Sequence, residues 1–119
     1  MSIEKHFSVR AELEADISNE MKQDALLIDR GVVLATPEDT GRAKANWIVS
    51  LGSPDNSQTD ALGESVSLAQ GQAQILKQQG FQRIYIQNNL PYIGRLNNGH
   101  SKRAPKKFIE TVLEDVKNA

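Results

Sequence analysis

Few residues of this chain have the types and spacing that catalysis requires. Its two histidines are His6, close to the first residue, and His100, in a glycine-rich break, and an isolated histidine in such a setting is more typical of a solvated side chain than of a ligand or base. Glu38 and Asp39 are adjacent, as carboxylates that cap a turn often are, and no second acidic cluster completes a metal nuclease site. The HExxH, GxSxG and Walker motifs do not occur. We therefore predict no enzyme activity, no cofactor and no metal.

One segment is strongly basic. Four positive charges fall within residues 100–107, just before the last predicted helix: Lys102, Arg103, Lys106 and Lys107. Such a patch favours contact with nucleic-acid phosphates, because binding releases counterions. No aromatic residue is interleaved with these charges, so base-specific recognition is not expected. Two interpretations stay open: a face toward DNA without sequence preference, or a connector that is solvated or paired with the acidic first helix of a neighbouring subunit.

Charge is divided along the chain. Residues 1–40 hold four basic and nine acidic side chains, a net charge of −5, whereas residues 41–119 hold ten basic and six acidic ones, a net charge of +4. Such a division occurs in subunits that pack head to tail, in proteins that present a basic face to an anion, and on ordinary solvated surfaces.

Length and composition exclude several classes of protein. The 119 residues suit a single domain, 1–119, with one modest core. The chain has no cysteine, which excludes a disulfide scaffold and a thiolate metal site. The first residues lack the pattern of a secretory signal, and the longest apolar stretch contains Asp29 and Arg30, which argues against a membrane span. We expect a protein that folds in the cytoplasm without a membrane partner.

A long first helix is predicted from apolar residues that recur every three or four positions. They are Leu13, Ile17, Met21, Ala25, Ile28, Val32 and Ala35. Ser8 is the predicted N-cap, and Pro37 is expected to end the helix at Ala35. Near this end four further apolar residues widen the stripe: Leu26, Leu27, Val33 and Leu34. We expect this end to be buried on several sides, by its own domain or by a neighbour.

The rest of the chain alternates short elements. They are a helical turn at residues 43–47, a strand at 47–51, a helix at 62–76, a strand at 81–88, a short helix or turn at 90–96 and a helix that begins near residue 105. The polar segment 52–60 has no apolar anchor and is predicted to be mobile. Gly80 is the predicted C′ residue of the second long helix, and the glutamines of that helix are interpreted as its polar face.

These elements predict an α+β fold. It consists of a long N-terminal helix, a small antiparallel sheet and a C-terminal helix packed on it. Two strands are few for an independent sheet, so we expect either a third strand or strand pairing between subunits.

Three local patterns, in fixed order, resemble the tail-completion or neck proteins of tailed bacteriophages, which are often described as minor tail components. The patterns are TPEDTGRAKANW at residues 36–47, NNLPYIGRLNNG at 88–99 and SKRAPKKF at 101–108. The similarity extends over about residues 9–117. The chain departs from the family pattern at residues 95–100 and in the spacing of Pro105 and Phe108, which leaves its position within the neck open.

The resemblance implies a structural protein of the virion, assembled in the host cytoplasm. It would form a homo-oligomeric ring that joins the portal, with its adaptor or stopper proteins, to the tail terminator and tail tube. The genome would pass through this ring, with nonspecific contact between protein and DNA. The alternative is a small DNA-binding or DNA-processing protein that uses residues 102–107, and a weaker one is an enzyme with its site between subunits.

Four residues are predicted at the subunit interface. Trp47 and Tyr92 are large amphipathic anchors that suit an interface as well as a core. Leu27 and Leu34 belong to the wide apolar end of the first helix. Phe108 is predicted to lie in the core.

Overall fold

The computed structural model describes the backbone of residues 3–38, 41–99 and 107–118, and the side chains in these ranges from residue 16 onward. Within these ranges the chain forms five helices and two strands. In chain order they are α1 (Ile3–Ala35), α2 (Arg42–Ala45), β1 (Trp47–Leu51), α3 (Glu64–Leu76), β2 (Ile84–Asn88), α4 (Ile93–Asn97) and α5 (Phe108–Lys117). This arrangement confirms the predicted α+β class with its long first helix and small antiparallel sheet.

Helix α1 is longer than its sequence pattern predicts. It begins at Ile3, so Ser8 lies inside the helix and its assignment as the N-cap is wrong. The predicted end at Ala35 is confirmed. Beyond it, the N–H and Oγ1 of Thr36 both donate to the Val32 carbonyl, at 3.1 and 2.5 Å. The 33 residues of α1 give a rod about 50 Å long.

A side chain of α3 covers the outer edge of strand β1. Strands β1 and β2 pair antiparallel with Val49 opposite Ile86. The Gly52 N–H donates to the Arg83 carbonyl at 2.8 Å, which sets the alternation of the ladder so that the backbone groups of Val49 point away from β2. Gln70 of α3 occupies them: its Nε2 donates to the Val49 carbonyl at 2.8 Å, and its Oε1 accepts from the Val49 N–H at 3.0 Å. A third strand was one of the two expectations for this sheet. At the outer edge of β1, the Gln70 amide takes the place that such a strand would occupy.

A second glutamine is buried at the end of α3. The helix stops at Leu76, so Gly80 lies in the following turn and is not the C′ residue that was predicted. Gln78 donates from Nε2 to the carbonyls of Gly80 and Gln82, both at 2.9 Å, and accepts from the Ser18 hydroxyl of α1. The interpretation of the glutamines as a polar face is thus wrong for Gln70 and Gln78.

Two small apolar clusters form the core. One consists of Val32, Val33, Trp47 and Phe108, and the other of Ala25, Val49 and Ile75. Ile86 of β2 packs against both clusters and joins them. Phe108 is buried, as predicted. Helix α5 lies mainly along α1, and its Ile109 and Val112 pack against the cluster that contains Phe108.

The predicted mobile loop between β1 and α3 is anchored by side-chain amides. Asn46 accepts from the Thr59 N–H at 2.9 Å and donates to the Thr59 carbonyl at 3.0 Å. Gln87 accepts from the Asp55 N–H at 3.0 Å, and Asn89 donates to the Asp55 carbonyl at 2.8 Å. The prediction of mobility considered apolar anchors alone and missed these polar ones.

Helices α1 and α3 approach each other closely at one glycine. A Cβ atom on Gly71 would lie 2.1 Å from Oδ2 of Asp29, so only glycine allows this contact. The glycine inside α3 thus has a packing reason, although it costs about 1 kcal/mol of helix propensity relative to alanine.

We predict that Gly71→Ala destabilises the fold by about 1–3 kcal/mol, because the added methyl group overpacks the contact with Asp29 and outweighs its gain in helix propensity. Gly94→Ala is the control, since a Cβ on that helical glycine meets no other atom within 4 Å, and we expect it to be neutral or slightly stabilising. Urea denaturation measures both. A Gly71→Ala protein as stable as the wild type would contradict the close packing of α1 on α3.

Candidate functional site

Trp47, a predicted interface residue, lies inside the subunit. It is 5% exposed and belongs to the larger core cluster. Its Nε1 donates to Oγ1 of Thr36 at 2.7 Å, which satisfies the polar atom of the indole ring. The expectation that Trp47 anchors a neighbouring subunit is therefore corrected: the side chain is core. Tyr92, immediately before α4, is half-buried.

The other two predicted interface residues are open to the surface. Leu27 is 51% exposed and Leu34 is 45% exposed. They are seven positions apart, so they lie on the same face of α1. Beside Leu27, a cleft of about 270 Å³ runs between α1 and α5, with Gly31, Val112 and Val116 among its lining residues. We call the surface formed by Leu27, Gly31, Leu34, Val112 and Val116 the α1–α5 face; it is apolar apart from Asp115, which also lines the cleft.

Most of the basic segment falls outside the described residues. Lys102, Arg103 and Lys106 belong to that part, as does His100. Lys107 is described and exposed, at the N-cap position of α5. Its backbone is left-handed, with φ of 57°.

Asn97 holds the start of α5 in place. Its carbonyl accepts from the Lys107 N–H, and its Oδ1 accepts from the Ile109 N–H at 3.0 Å. Its Nδ2 donates to both carboxylate oxygens of Glu110, at 3.0 and 2.9 Å. These side-chain hydrogen bonds from Asn97 lower the pKa of Glu110. The position of Lys107 is thus set by an amide clamp of the kind that the sequence patterns did not reveal.

A buried carboxyl group lies between α1 and α3. Asp29 is 3% exposed, and its Oδ1 has no hydrogen-bond partner among the described residues. Burial raises the pKa of this carboxyl from its ordinary 3.8 to about 7, since desolvation penalises the charged form. A groove of about 370 Å³ adjoins it, lined by Asp29 together with Leu26, Arg30, Leu68 and Gln72.

Sequence reasoning treated Asp29 only as a charge that interrupts an apolar stretch. A signal was present, because Asp29 lies four positions from both Ala25 and Val33. Both of these are buried, so the same face of α1 carries all three residues. An acidic residue on a buried helix face is the pattern that points to such a group.

The described part of the chain has neither a metal-ion cluster nor a membrane-spanning helix. No group of three or more His, Asp or Glu side chains is arranged there to hold a metal ion. No described helix combines the length and apolar composition that crossing a membrane requires.

We predict that Trp47→Ala lowers the free energy of unfolding by about 3–5 kcal/mol, as is usual when a large buried aromatic residue is truncated. Phe81→Ala is the control, because Phe81 is 56% exposed and its truncation is expected to change stability by no more than about 0.5 kcal/mol. Chemical denaturation followed by circular dichroism compares the two. A Trp47→Ala subunit that is as stable as the wild type would restore the interface interpretation.

We also predict that Asp29 makes stability fall as pH rises. In the folded protein this carboxyl keeps its proton up to about pH 7, whereas the unfolded chain loses it near its ordinary value. Between these pH values the folded state binds more protons, so its stability declines by up to about 1.4 kcal/mol per pH unit. Asp29→Asn is expected to remove this decline and to be more stable than the wild type at about pH 8.

The control for this measurement is Asp24→Asn, because Asp24 is an exposed carboxylate on the same helix. The difference in unfolding free energy between wild type and Asp29→Asn, obtained by urea denaturation across the pH range, isolates the contribution of Asp29. A difference that stays constant with pH would show that the carboxyl titrates normally.

Comparison with known proteins gives no match: no protein-family model, no curated protein and no solved structure is similar to this chain.

Proposed function

We propose that this protein is a structural subunit of the neck of a tailed bacteriophage, where it forms a ring between the portal assembly and the tail tube. The observation that carries the proposal is the α1–α5 face, on which Leu27 and Leu34 are open to solvent. The sequence resemblance over residues 9–117 also supports the proposal. The role is the assembly of a connector and needs no catalytic group.

Exposed apolar side chains support an assembled state. Besides Leu27 and Leu34, six large apolar residues of the described chain are more than a third exposed: Ile17, Leu62, Val66, Leu76, Phe81 and Leu113. Isolated exposed residues are common, but contiguous ones mark contact surfaces. The α1–α5 face joins Leu27 to the cleft beside it and is such a surface.

The shape of the subunit points the same way. Its radius of gyration is 16.8 Å, against about 14 Å for a compact domain of this length. Its dimensions along the three principal axes are 62, 30 and 20 Å, so the molecule is elongated. An elongated subunit with a small core leaves much of its apolar surface for neighbours to bury.

The second strand offers a further contact. Val49 pairs with Ile86, and Leu51 pairs with Ile84, at positions of the ladder where the two strands do not bond to each other. The backbone groups of Ile84 and Ile86 therefore point to the free edge of β2. No described residue bonds to these groups there, unlike the edge that Gln70 closes. An unpaired strand edge is a place where another chain can add a strand, in keeping with the expected pairing between subunits.

Charged substitutions on the α1–α5 face test the proposal. Leu27→Asp and Leu34→Asp are expected to leave the fold within about 0.5 kcal/mol of wild type, because both side chains are exposed. They should abolish incorporation into particles, since a charge cannot be buried at an apolar contact without a large cost. Gln23→Asp is the matched control, adding the same charge at an exposed polar position of α1.

The measurement is mass spectrometry of purified phage particles, with electron microscopy of their necks. Absence of the wild-type protein from particles would overturn the structural function. If both leucine variants are incorporated into particles as efficiently as the wild type, the α1–α5 face is not the contact that forms the ring.

Binding to DNA in free solution distinguishes the proposed connector from the alternative, a DNA-binding or DNA-processing protein. A connector subunit is expected to bind duplex DNA weakly at physiological salt, because its phosphate contacts require the assembled ring. Micromolar binding by the isolated subunit that falls with salt, and is lost when Lys102, Arg103, Lys106 and Lys107 are replaced by Gln, would favour a DNA-binding protein instead.

A further inference from the structure

The groove between α1 and α3 contains an unexplained buried acid. Oδ1 of Asp29 makes no hydrogen bond among the described residues, although the side chain is almost fully buried. Such a group is costly in either protonation state, and native proteins rarely retain one without a use. Asp29 is one of the residues that line the groove of about 370 Å³, and its carboxyl group lies at the buried side of that groove.

The lining of the groove selects the chemistry of that ligand. A carboxylate accepts hydrogen bonds most strongly from a cationic donor. Leu26 and Leu68 supply apolar walls beside it, which suit an aliphatic stem. An alkylammonium or guanidinium group on such a stem, as in lysine or arginine, satisfies both features.

Charges within the subunit indicate where such a side chain comes from. The described ion pairs are Arg42 with Asp60 and Lys44 with Glu64, each at 3.8 Å, and both lie within the basic part of the chain, residues 41–119. The exposed carboxylates that are described in α1, Asp16, Glu20 and Asp24, make no ion pair with a described residue. The charges of these carboxylates are complementary to the basic residues that another copy of the chain carries in residues 41–119.

We propose that the α1–α3 groove binds a lysine or arginine side chain of a second copy of this chain, with Asp29 as its acceptor. The inference rests on the proposed ring, in which each copy meets the next. It specifies a head-to-tail contact, because the acidic helix of one subunit receives a basic residue of its neighbour. Binding the cation ionises the carboxyl group, so the contact releases a proton when the pH lies below about 7.

Arg30 is the competing occupant and is part of the test. It lies at the groove, is exposed, and follows Asp29 directly in α1. Consecutive helical residues do not face each other, so its guanidinium is not placed on the carboxyl group. Arg30→Gln is expected to leave the binding of an added cation intact or to strengthen it by removing a like charge.

The first experiment tests the groove on the isolated subunit. Carbon-detected NMR follows the carboxyl titration of Asp29, with Asp24 as internal control, while n-butylammonium is added. At ten times its dissociation constant the probe lowers the midpoint pH of Asp29 by about one unit. Tetramethylammonium at equal ionic strength, which has no N–H donor, should leave the midpoint unchanged. Equal effects of the two cations, or none, would overturn the cation site.

The second experiment identifies the occupant. A carbodiimide cross-link forms between a carboxyl group and an amine only where they touch, and a mixture of isotope-labelled and unlabelled subunits distinguishes links between copies from links within one. We expect an intermolecular link from Asp29 to a lysine in the assembled protein, abolished by Asp29→Asn and retained in Asp24→Asn. For an arginine occupant the link is missing, but Asp29→Asn still weakens self-association in sedimentation and Asp24→Asn does not.

A groove that binds n-butylammonium while Asp29→Asn assembles like the wild type would overturn the second copy as occupant. Failure of the neck function gives a different result. The protein would then be absent from phage particles, whereas the titration and cross-linking of the purified protein would still report on the groove.

Discussion

A buried ammonium group at the end of α1 holds the fold together. Lys44 is 4% exposed, and its Nζ donates to the carbonyls of Val33 and Leu34 at 3.1 and 2.9 Å. These carbonyls belong to the last turn of α1, which has no basic residue of its own, so the ammonium supplies the charge that the helix dipole favours. The backbone carbonyl of Lys44 also accepts from Ser67 of α3. One residue thus fixes α2 against both long helices, and β1 starts only three positions later.

Side-chain amides extend this principle to the rest of the molecule. Gln70 closes the edge of β1, Gln78 fills the turn after α3, Asn46 pins the loop, and Asn97 clamps α5. Each amide offers a donor and an acceptor in one plane, and so can replace a missing backbone partner. A domain with only two small apolar clusters depends on such bonds for its definition, because its core alone buries little surface.

Patterns that depend on neighbouring residues in the chain were predictable, and those that depend on distant partners were not. The end of α1 follows from the local geometry of Pro37, and β1 and the burial of Phe108 follow from apolar periodicity. Asp29 could not be placed between two helices without knowing that Gly71 faces it across 42 positions of sequence. Within the candidate site, the wide apolar stripe predicted that Leu27 and Leu34 are buried by their own domain or by a neighbour, and only the packing of the other elements shows that the subunit itself leaves them exposed. The groove at Asp29 likewise needed the packing of α3.

The exposed leucines, and the described carboxylates of α1 that make no ion pair with a described residue, both follow from the length of this helix. A helix of 33 residues offers more surface than the two short strands and four shorter helices of the described chain can cover. Evolution can leave such surface polar along its whole length, but here it carries apolar residues on the face toward α5 and a buried acid on the face toward α3. The two faces differ in chemistry: one suits apolar burial, which is tolerant of orientation, and the other suits a directed charge, which is not. In the proposed ring both faces would meet neighbouring subunits, and such a head-to-tail contact closes a ring only if its rotation divides a full turn, since any other rotation gives an open filament.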